Sequence, residues 1–80
     1  MEYNRLVWAS RRGMLELDLI LAPFVENSYR DLSAQDQDRF QRLLECEDQD
    51  LFSWFMSRSE PEDVEMKAIV GVVLESRARG

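Results

Sequence analysis

Apolar residues recur along the chain at steps of three and four positions, which is the period of an α-helix. Tyr3, Leu6 and Val7 follow this spacing and predict a first helix that runs to about Arg11. Gly13 is its expected stop, because glycine enters the left-handed conformation without a steric penalty. The chain therefore begins with a short helix and a tight connection.

The second segment has the most extensive apolar pattern. Pro23 interrupts it, which predicts a kink or two short helices that meet there. Leu15, Leu19 and Ala22 widen its apolar surface beyond one stripe, so we expect this helix to be central to a bundle. Its inward-facing positions are Met14, Leu17, Leu21, Phe24 and Val25.

Three further helical patterns follow. Ser33 is a predicted N-cap, with Asp36 as a capping-box partner three residues later. A fourth helix starts at Asp48 or Gln49, and Pro61 lies near the first turn of a fifth. The fourth helix is unusually rich in large side chains, namely Leu51, Phe52, Trp54, Phe55 and Met56. The predicted inward-facing residues of the third and fifth helices are Phe40, Leu43, Leu44, Met66, Ile69, Val70, Val73 and Leu74. The sequence thus predicts an all-α, small single-domain bundle of about five short helices over residues 1–80.

Composition narrows the possible functions. Eighty residues suffice for one small domain, and three Gly and two Pro leave the regular elements largely uninterrupted. Histidine is absent, which removes the commonest general base and metal ligand. We expect no metal site and no catalytic residue.

The charge distribution argues against nucleic acid as a partner. The formal net charge is −6. Residues 1–12 carry three arginines against Glu2, whereas the rest of the chain has seven basic and fifteen acidic residues. Duplex binding depends on neutralising phosphates, so an acidic chain with one small basic end is a poor candidate.

The single Cys46 cannot form an internal disulfide and suggests a reducing compartment. Its neighbours Glu45 and Glu47 are expected to raise the pKa of its thiol, which argues against a nucleophile.

The longest nearly uncharged run, residues 19–25, is far too short to span a membrane. No signal peptide is recognisable, so we expect a cytoplasmic protein without membrane insertion.

Residues 8–18 combine charge, glycine and an aromatic side chain in a way that core packing does not explain. Gly13 leaves the backbone bare for a partner's close approach, and the adjacent arginines offer planar sets of donors. Glu16 either accepts hydrogen bonds from a partner or, alternatively, caps its own helix and pairs with an arginine. The candidate partner-binding residues are Trp8, Arg11, Arg12, Gly13, Met14, Glu16 and Asp18.

Here the sequence resembles a known family. Arg12-Gly13-x-x-Glu16 is similar to the Arg-Gly-x-x-Glu signature of the SdhE family, the FAD assembly factors of succinate dehydrogenase. A second block, residues 43–54, is similar to the family's Leu-Leu-Glu-x-x-Asp-x-Asp-Leu-Phe-x-Trp region. Both blocks, in this order, make the resemblance extend over nearly the whole chain.

The resemblance implies a five-helix fold and a role without substrate turnover. Family members bind the flavoprotein subunit of succinate dehydrogenase or fumarate reductase and promote covalent attachment of FAD to a histidine of that subunit. It implies that the chain binds no cofactor stably; we also expect it to be a monomer when free. We expect Gly13 to permit close approach while Arg12 and Glu16 pair with groups on the flavoprotein.

Three other interpretations remain open at this stage. The strongest is a non-flavin protein-interaction adaptor, antitoxin-like or regulatory, that uses the same exposed motif. A small nucleic-acid-binding helical domain would rely on Arg5, Arg11 and Arg12. A stand-alone enzyme ranks last, because no base, nucleophile or metal cluster is recognisable.

Overall fold

The structure, a computed structural model, describes residues 2–79. Within that range the chain forms five α-helices and one short 3-10 helix, and no strand. The helices are α1 (Tyr3–Ala9), α2 (Leu15–Asn27), the 3-10 helix (Tyr29–Asp31), α3 (Ala34–Leu43), α4 (Asp48–Phe55) and α5 (Val64–Ala78). The predicted all-α bundle of about five short helices is confirmed.

Helix α2 is the centre of the bundle, as the sequence predicts. It packs against α1, α4, α5 and the 3-10 helix, and α3 packs mainly against α5. Burying each large apolar side chain contributes about 1.5–3 kcal/mol, which is the main favourable term for so small a domain. The core consists of Leu6, Leu17, Ile20, Leu21, Phe24, Val25, Tyr29, Phe40, Leu43, Leu44, Leu51, Phe55, Met66, Ile69, Val70 and Val73.

Two helix starts, those of α3 and α5, have a side-chain cap. The Ser33 hydroxyl accepts from the backbone N–H of Asp36 at 3.1 Å, which confirms the N-cap of α3. The capping-box half of that prediction is wrong, because the Asp36 carboxylate accepts from Arg39 instead. Helix α5 begins later than expected: Asp63 caps it, and Pro61 is buried in the preceding loop.

The first helix ends earlier than predicted. Helix α1 stops at Ala9 rather than near Arg11, and the following Ser10 is buried with its hydroxyl donating to the Val7 carbonyl. Gly13 is therefore not the residue that ends α1. It lies in the loop that leads into α2 and has a φ of +80°, the left-handed conformation that favours glycine.

Helix α2 differs from the expectations in two respects. Of the two alternatives at Pro23, two short helices are excluded: the helix is continuous, because Pro23 lies on its exposed side and water can satisfy the Leu19 carbonyl that loses its helical donor. Leu15 and Leu19 do not widen the buried surface: they are 69% and 61% exposed. The buried face of α2 is formed instead by residues that include Ile20.

Candidate functional site

The guanidinium of Arg12 is bound within the chain. Its Nε donates to Oδ1 of Asp48 at 2.7 Å, and its Nη2 donates to the Cys46 carbonyl at 2.7 Å. Its Nη1 donates to the Ala9 carbonyl at 3.1 Å and to the Leu44 carbonyl at 2.6 Å. Four of the five guanidinium N–H donors are thus used internally.

This arrangement satisfies groups that helix ends leave without partners. Ala9 is the last residue of α1 and Leu44 is the C-cap of α3, where backbone carbonyls have no intrahelical donor and a cation is favoured. Asp48 is the first residue of α4, where a carboxylate is favoured by the helix dipole. Arg12 therefore joins the ends of α1 and α3 to the start of α4.

The position of Arg12 differs from the expectation that its guanidinium is held out for a partner. Its side chain is only 16% exposed, and its acceptors all lie in its own chain. Three of those acceptors belong to the second sequence block, residues 43–54. The two blocks that carry the family resemblance are consequently in direct contact, with Arg12 of the first bound by the second.

Asp18 and Met14 also have internal contacts. The Asp18 carboxylate accepts from the backbone N–H of Arg12 at 2.7 Å, which fixes the loop against the first turns of α2. Met14 is the N-cap of α2 and packs partly buried against the core. Together with Arg12, these residues set the conformation of the loop.

Glu16, by contrast, is exposed, and its carboxylate has no hydrogen bond or ion pair to any residue in the part of the chain that the structure describes. The N-cap position of α2 carries no side-chain capping bond. The alternative interpretation, in which Glu16 caps its helix and pairs with an arginine, is therefore wrong. Its carboxylate is available to an external donor.

Gly13 lies between the internally bound Arg12 and the exposed Glu16. A Cβ added to Gly13 would meet no atom within 4 Å, so the space outside this backbone is open. Glycine is favoured here by the positive φ, and its small size is not required by any described neighbour within the chain. A side chain at this position would project into the open space outside the loop.

Trp8 and Arg11 are the other exposed members of the predicted set. Trp8 is 79% exposed, an unusual position for the largest apolar side chain. Trp8, Arg11 and Val7 line a shallow surface cavity of about 350 Å³. Arg11 is exposed and its guanidinium has no partner among residues 2–79, so an aromatic surface and an unpaired guanidinium lie side by side.

Cys46 does not have the character of a nucleophile. Burial raises the pKa of its thiol, and the nearby Asp50 carboxylate raises it further, while Arg12 acts in the opposite direction. The expected direction is confirmed, although burial rather than the adjacent glutamates is the main cause.

Among residues 2–79, no three His, Cys, Asp or Glu side chains group into a metal site. No helix within the same range is long and apolar enough to cross a membrane.

Two features of the site have little signal in the sequence. The acceptors of Arg12 include three backbone carbonyls, which no residue type reveals. The exposed Leu15 and Leu19 carry only a four-residue spacing, which core residues share. Asp48 could be found, because it falls in the second block at the predicted start of α4.

These features define a class of protein. The chain is a small helical bundle that holds a charged, glycine-containing loop in a fixed conformation and exposes one side of it. The comparisons with known proteins agree with this class and make it specific.

Residues 4–77 match the family model described as flavinator of succinate dehydrogenase. The chain is 58% identical over 74 residues to the FAD assembly factor SdhE of Pseudomonas aeruginosa, which covers 92% of this chain and 88% of the relative. It is 53% identical over 70 residues to the SdhE of Shewanella oneidensis, with coverages of 88% and 85%. With the SdhE of Yersinia pseudotuberculosis the identity is 47% over 77 residues, with coverages of 95% and 88%. The chain belongs to the SdhE family, and the resemblance seen in the sequence is confirmed.

Proposed function

We propose that this chain is an FAD assembly factor that binds the flavoprotein subunit of succinate dehydrogenase and promotes covalent attachment of FAD to a histidine of that subunit. The observation that carries the proposal is that one residue of the family motif is bound inside the chain while two others are exposed. Arg12 is bound internally by the second block, whereas Gly13 and Glu16 face outward without partners. The acceptor histidine belongs to the partner, since this chain has none.

The proposed mechanism is one of positioning. A bond between a histidine and the flavin forms only when the reacting atoms are held in a near-attack arrangement. The chain contributes to this by fixing the partner around bound FAD: Glu16 accepts from a donor on the flavoprotein, and Gly13 lets that surface come close. Arg12 acts through the loop, which it keeps in the conformation that presents Glu16.

Further parts of the proposal concern the location of the chain, its oligomeric state and a second partner. The chain acts in the cytoplasm, carries out no turnover of its own and holds no FAD stably. It is a monomer when free, since a net charge of −6 opposes association between copies. The flavoprotein subunit of fumarate reductase is included as a second partner of the same chemistry.

The test uses a matching flavoprotein subunit expressed with and without this chain. Denaturing gels are read for covalent flavin fluorescence, which survives only if the flavin is bonded to protein. Glu16→Ala tests the motif, and Glu62→Ala is its matched control, because Glu62 is also exposed and unpaired among residues 2–79.

We expect strong fluorescence only when the chain is present, retained with Glu62→Ala and lost with Glu16→Ala. Equal fluorescence with and without the chain, together with no co-purification, would contradict the proposal and favour a non-flavin adaptor. Full fluorescence with a folded Glu16→Ala variant would show that the motif is structural.

A further inference from the structure

An apolar ridge runs along the exposed side of α2. It consists of Leu15, Leu19 and Pro23, spaced four residues apart, and is called the α2 ridge below. Residues at this spacing are neighbours on a helix surface, and the ridge extends about 12 Å along the axis. Two leucines 69% and 61% exposed on one helix face are more than the scattered apolar residues of an ordinary surface.

The far end of the ridge borders a cavity of about 450 Å³. Leu19 and Pro23 form one wall, and the last turns of α5 form the other with Ser76, Arg77 and Arg79. Arginine is the only charged residue type in the lining, although the chain as a whole is acidic. Arg79 pairs with Glu75, whereas Arg77 has no partner within residues 2–79.

The near end of the ridge lies inside the motif. Leu15 is exposed and directly precedes Glu16 in the first turn of α2, so the ridge begins beside the glutamate of the motif. From there the ridge leads away along α2 toward the cavity and its free guanidinium. The same partner can therefore occupy the motif and the ridge without a break.

We infer that the α2 ridge and the Arg77 cavity form a second part of the docking surface for the flavoprotein subunit. The occupant is an amphipathic segment of that subunit, with apolar side chains on Leu15 and Leu19 and a carboxylate that reaches Arg77. The charge of the cavity selects an acidic segment, and the continuity with Glu16 assigns it to the same partner. The inference rests on the proposed function.

The test measures binding of the purified chain to the purified flavoprotein subunit by a surface-based kinetic method, at low and at high salt. Leu19→Asp places a carboxylate on the ridge, and Leu19→Gln removes the apolar surface with a neutral helix-forming residue. Val64→Asp is the matched control, because Val64 is 80% exposed and lies at the opposite end of α5 from Arg77. Arg77→Glu reverses the charge in the cavity. Circular dichroism verifies that each variant is folded.

We expect Leu19→Gln to weaken binding by about tenfold and Leu19→Asp to weaken it more, with Val64→Asp within about twofold of the parent chain. Arg77→Glu is expected to slow association and to reduce its dependence on salt. If both Leu19 variants bind like the parent while Glu16→Ala does not, the ridge proposal is overturned and the proposed function stands. If the Glu16→Ala variant also binds like the parent, the proposed role of Glu16 fails as well. If the parent chain itself does not bind the flavoprotein subunit, the proposed function fails.

A second copy of this chain is the competing occupant. Light scattering distinguishes it: self-association that Leu19→Asp abolishes, with unchanged affinity for the flavoprotein, would overturn the inference. A monomeric parent chain whose flavoprotein affinity depends on Leu19 supports it.

Discussion

The Nε of Arg12 donates to Oδ1 of Asp48 at 2.7 Å, across 36 positions of sequence. This bond joins the loop before α2 to the start of α4, and it joins the two sequence blocks that carry the family resemblance. The Arg12-Gly13-x-x-Glu16 motif therefore has two structurally different parts. Its arginine stabilises the loop, and its glycine and glutamate face outward.

The Arg12–Asp48 pair predicts a coupled loss of stability. Arg12→Lys is expected to lower the free energy of unfolding by about 2 kcal/mol, because an ammonium group cannot reach Asp48 and three carbonyls at once. Asp48→Asn is expected to lower the free energy of unfolding by a smaller amount, since Asp48 is partly exposed. Urea unfolding of both single variants and the double variant measures the coupling, which we expect to be about 1 kcal/mol. Additive losses would contradict the pairing.

Gly13 predicts a separation between stability and function. Gly13→Ala is expected to cost about 1–2 kcal/mol of stability, because a Cβ is disfavoured at a φ of +80°. Gly13→Asn should cost less, since asparagine tolerates this conformation. Both variants should lose flavoprotein binding, because any side chain here projects toward the partner. Retained binding by the asparagine variant would assign Gly13 a backbone role alone.

Cys46 predicts slow alkylation near neutral pH. Because burial and Asp50 raise the pKa of its thiol, the reactive thiolate forms later than in an ordinary cysteine, and the rate should still be rising above pH 9.0. Iodoacetamide labelling followed by mass spectrometry measures this rate across pH, with urea-unfolded chain as the control. Asp50→Asn should shift the profile to lower pH. A native profile equal to the unfolded one would contradict the assignment.

Ser57 predicts a stabilising substitution remote from the motif. It has a φ of +59° just after α4, where its N–H donates to the Trp54 carbonyl and the N–H of Arg58 donates to the Ser53 carbonyl. This is a helix C-terminus in which glycine is preferred. Ser57→Gly should raise the free energy of unfolding by up to about 1 kcal/mol, whereas Ser57→Ala keeps the strain and brings no gain. Thermal unfolding distinguishes the two variants.

The helices could be predicted because their apolar residues have one dominant period. Leu51 and Phe55 in α4, four residues apart, both reach the core. The same spacing gave a wrong prediction for Leu15 and Leu19, which are exposed. Periodicity alone does not distinguish a residue that packs inward from one that is left exposed. Pro23 leaves α2 undivided for a related reason, since the cost of a proline within a helix depends on which side of the helix it occupies.

The position of the site could be predicted from the sequence. Which of its side chains are bound inside the chain and which are exposed could not. Arg12 and Glu16 are both charged and lie four positions apart, and nothing in residues 8–18 tells which one faces inward. The answer depends on the carbonyls of Leu44 and Cys46, more than thirty positions away. Backbone acceptors have no residue-type signature, so only the packed structure reveals them.

The central claim is that Arg12 holds the loop while Glu16 meets the flavoprotein. The most direct measurement compares Arg12→Lys and Glu16→Gln for the free energy of unfolding and for covalent flavin fluorescence of the co-expressed flavoprotein subunit. We predict that Glu16→Gln leaves stability within about 0.5 kcal/mol of the parent chain and greatly reduces flavin attachment. Arg12→Lys should lower the free energy of unfolding. Its effect on flavin attachment should be indirect and should follow the extent to which the loop loses its conformation. Full attachment with Glu16→Gln, or unchanged stability with Arg12→Lys, would contradict the account.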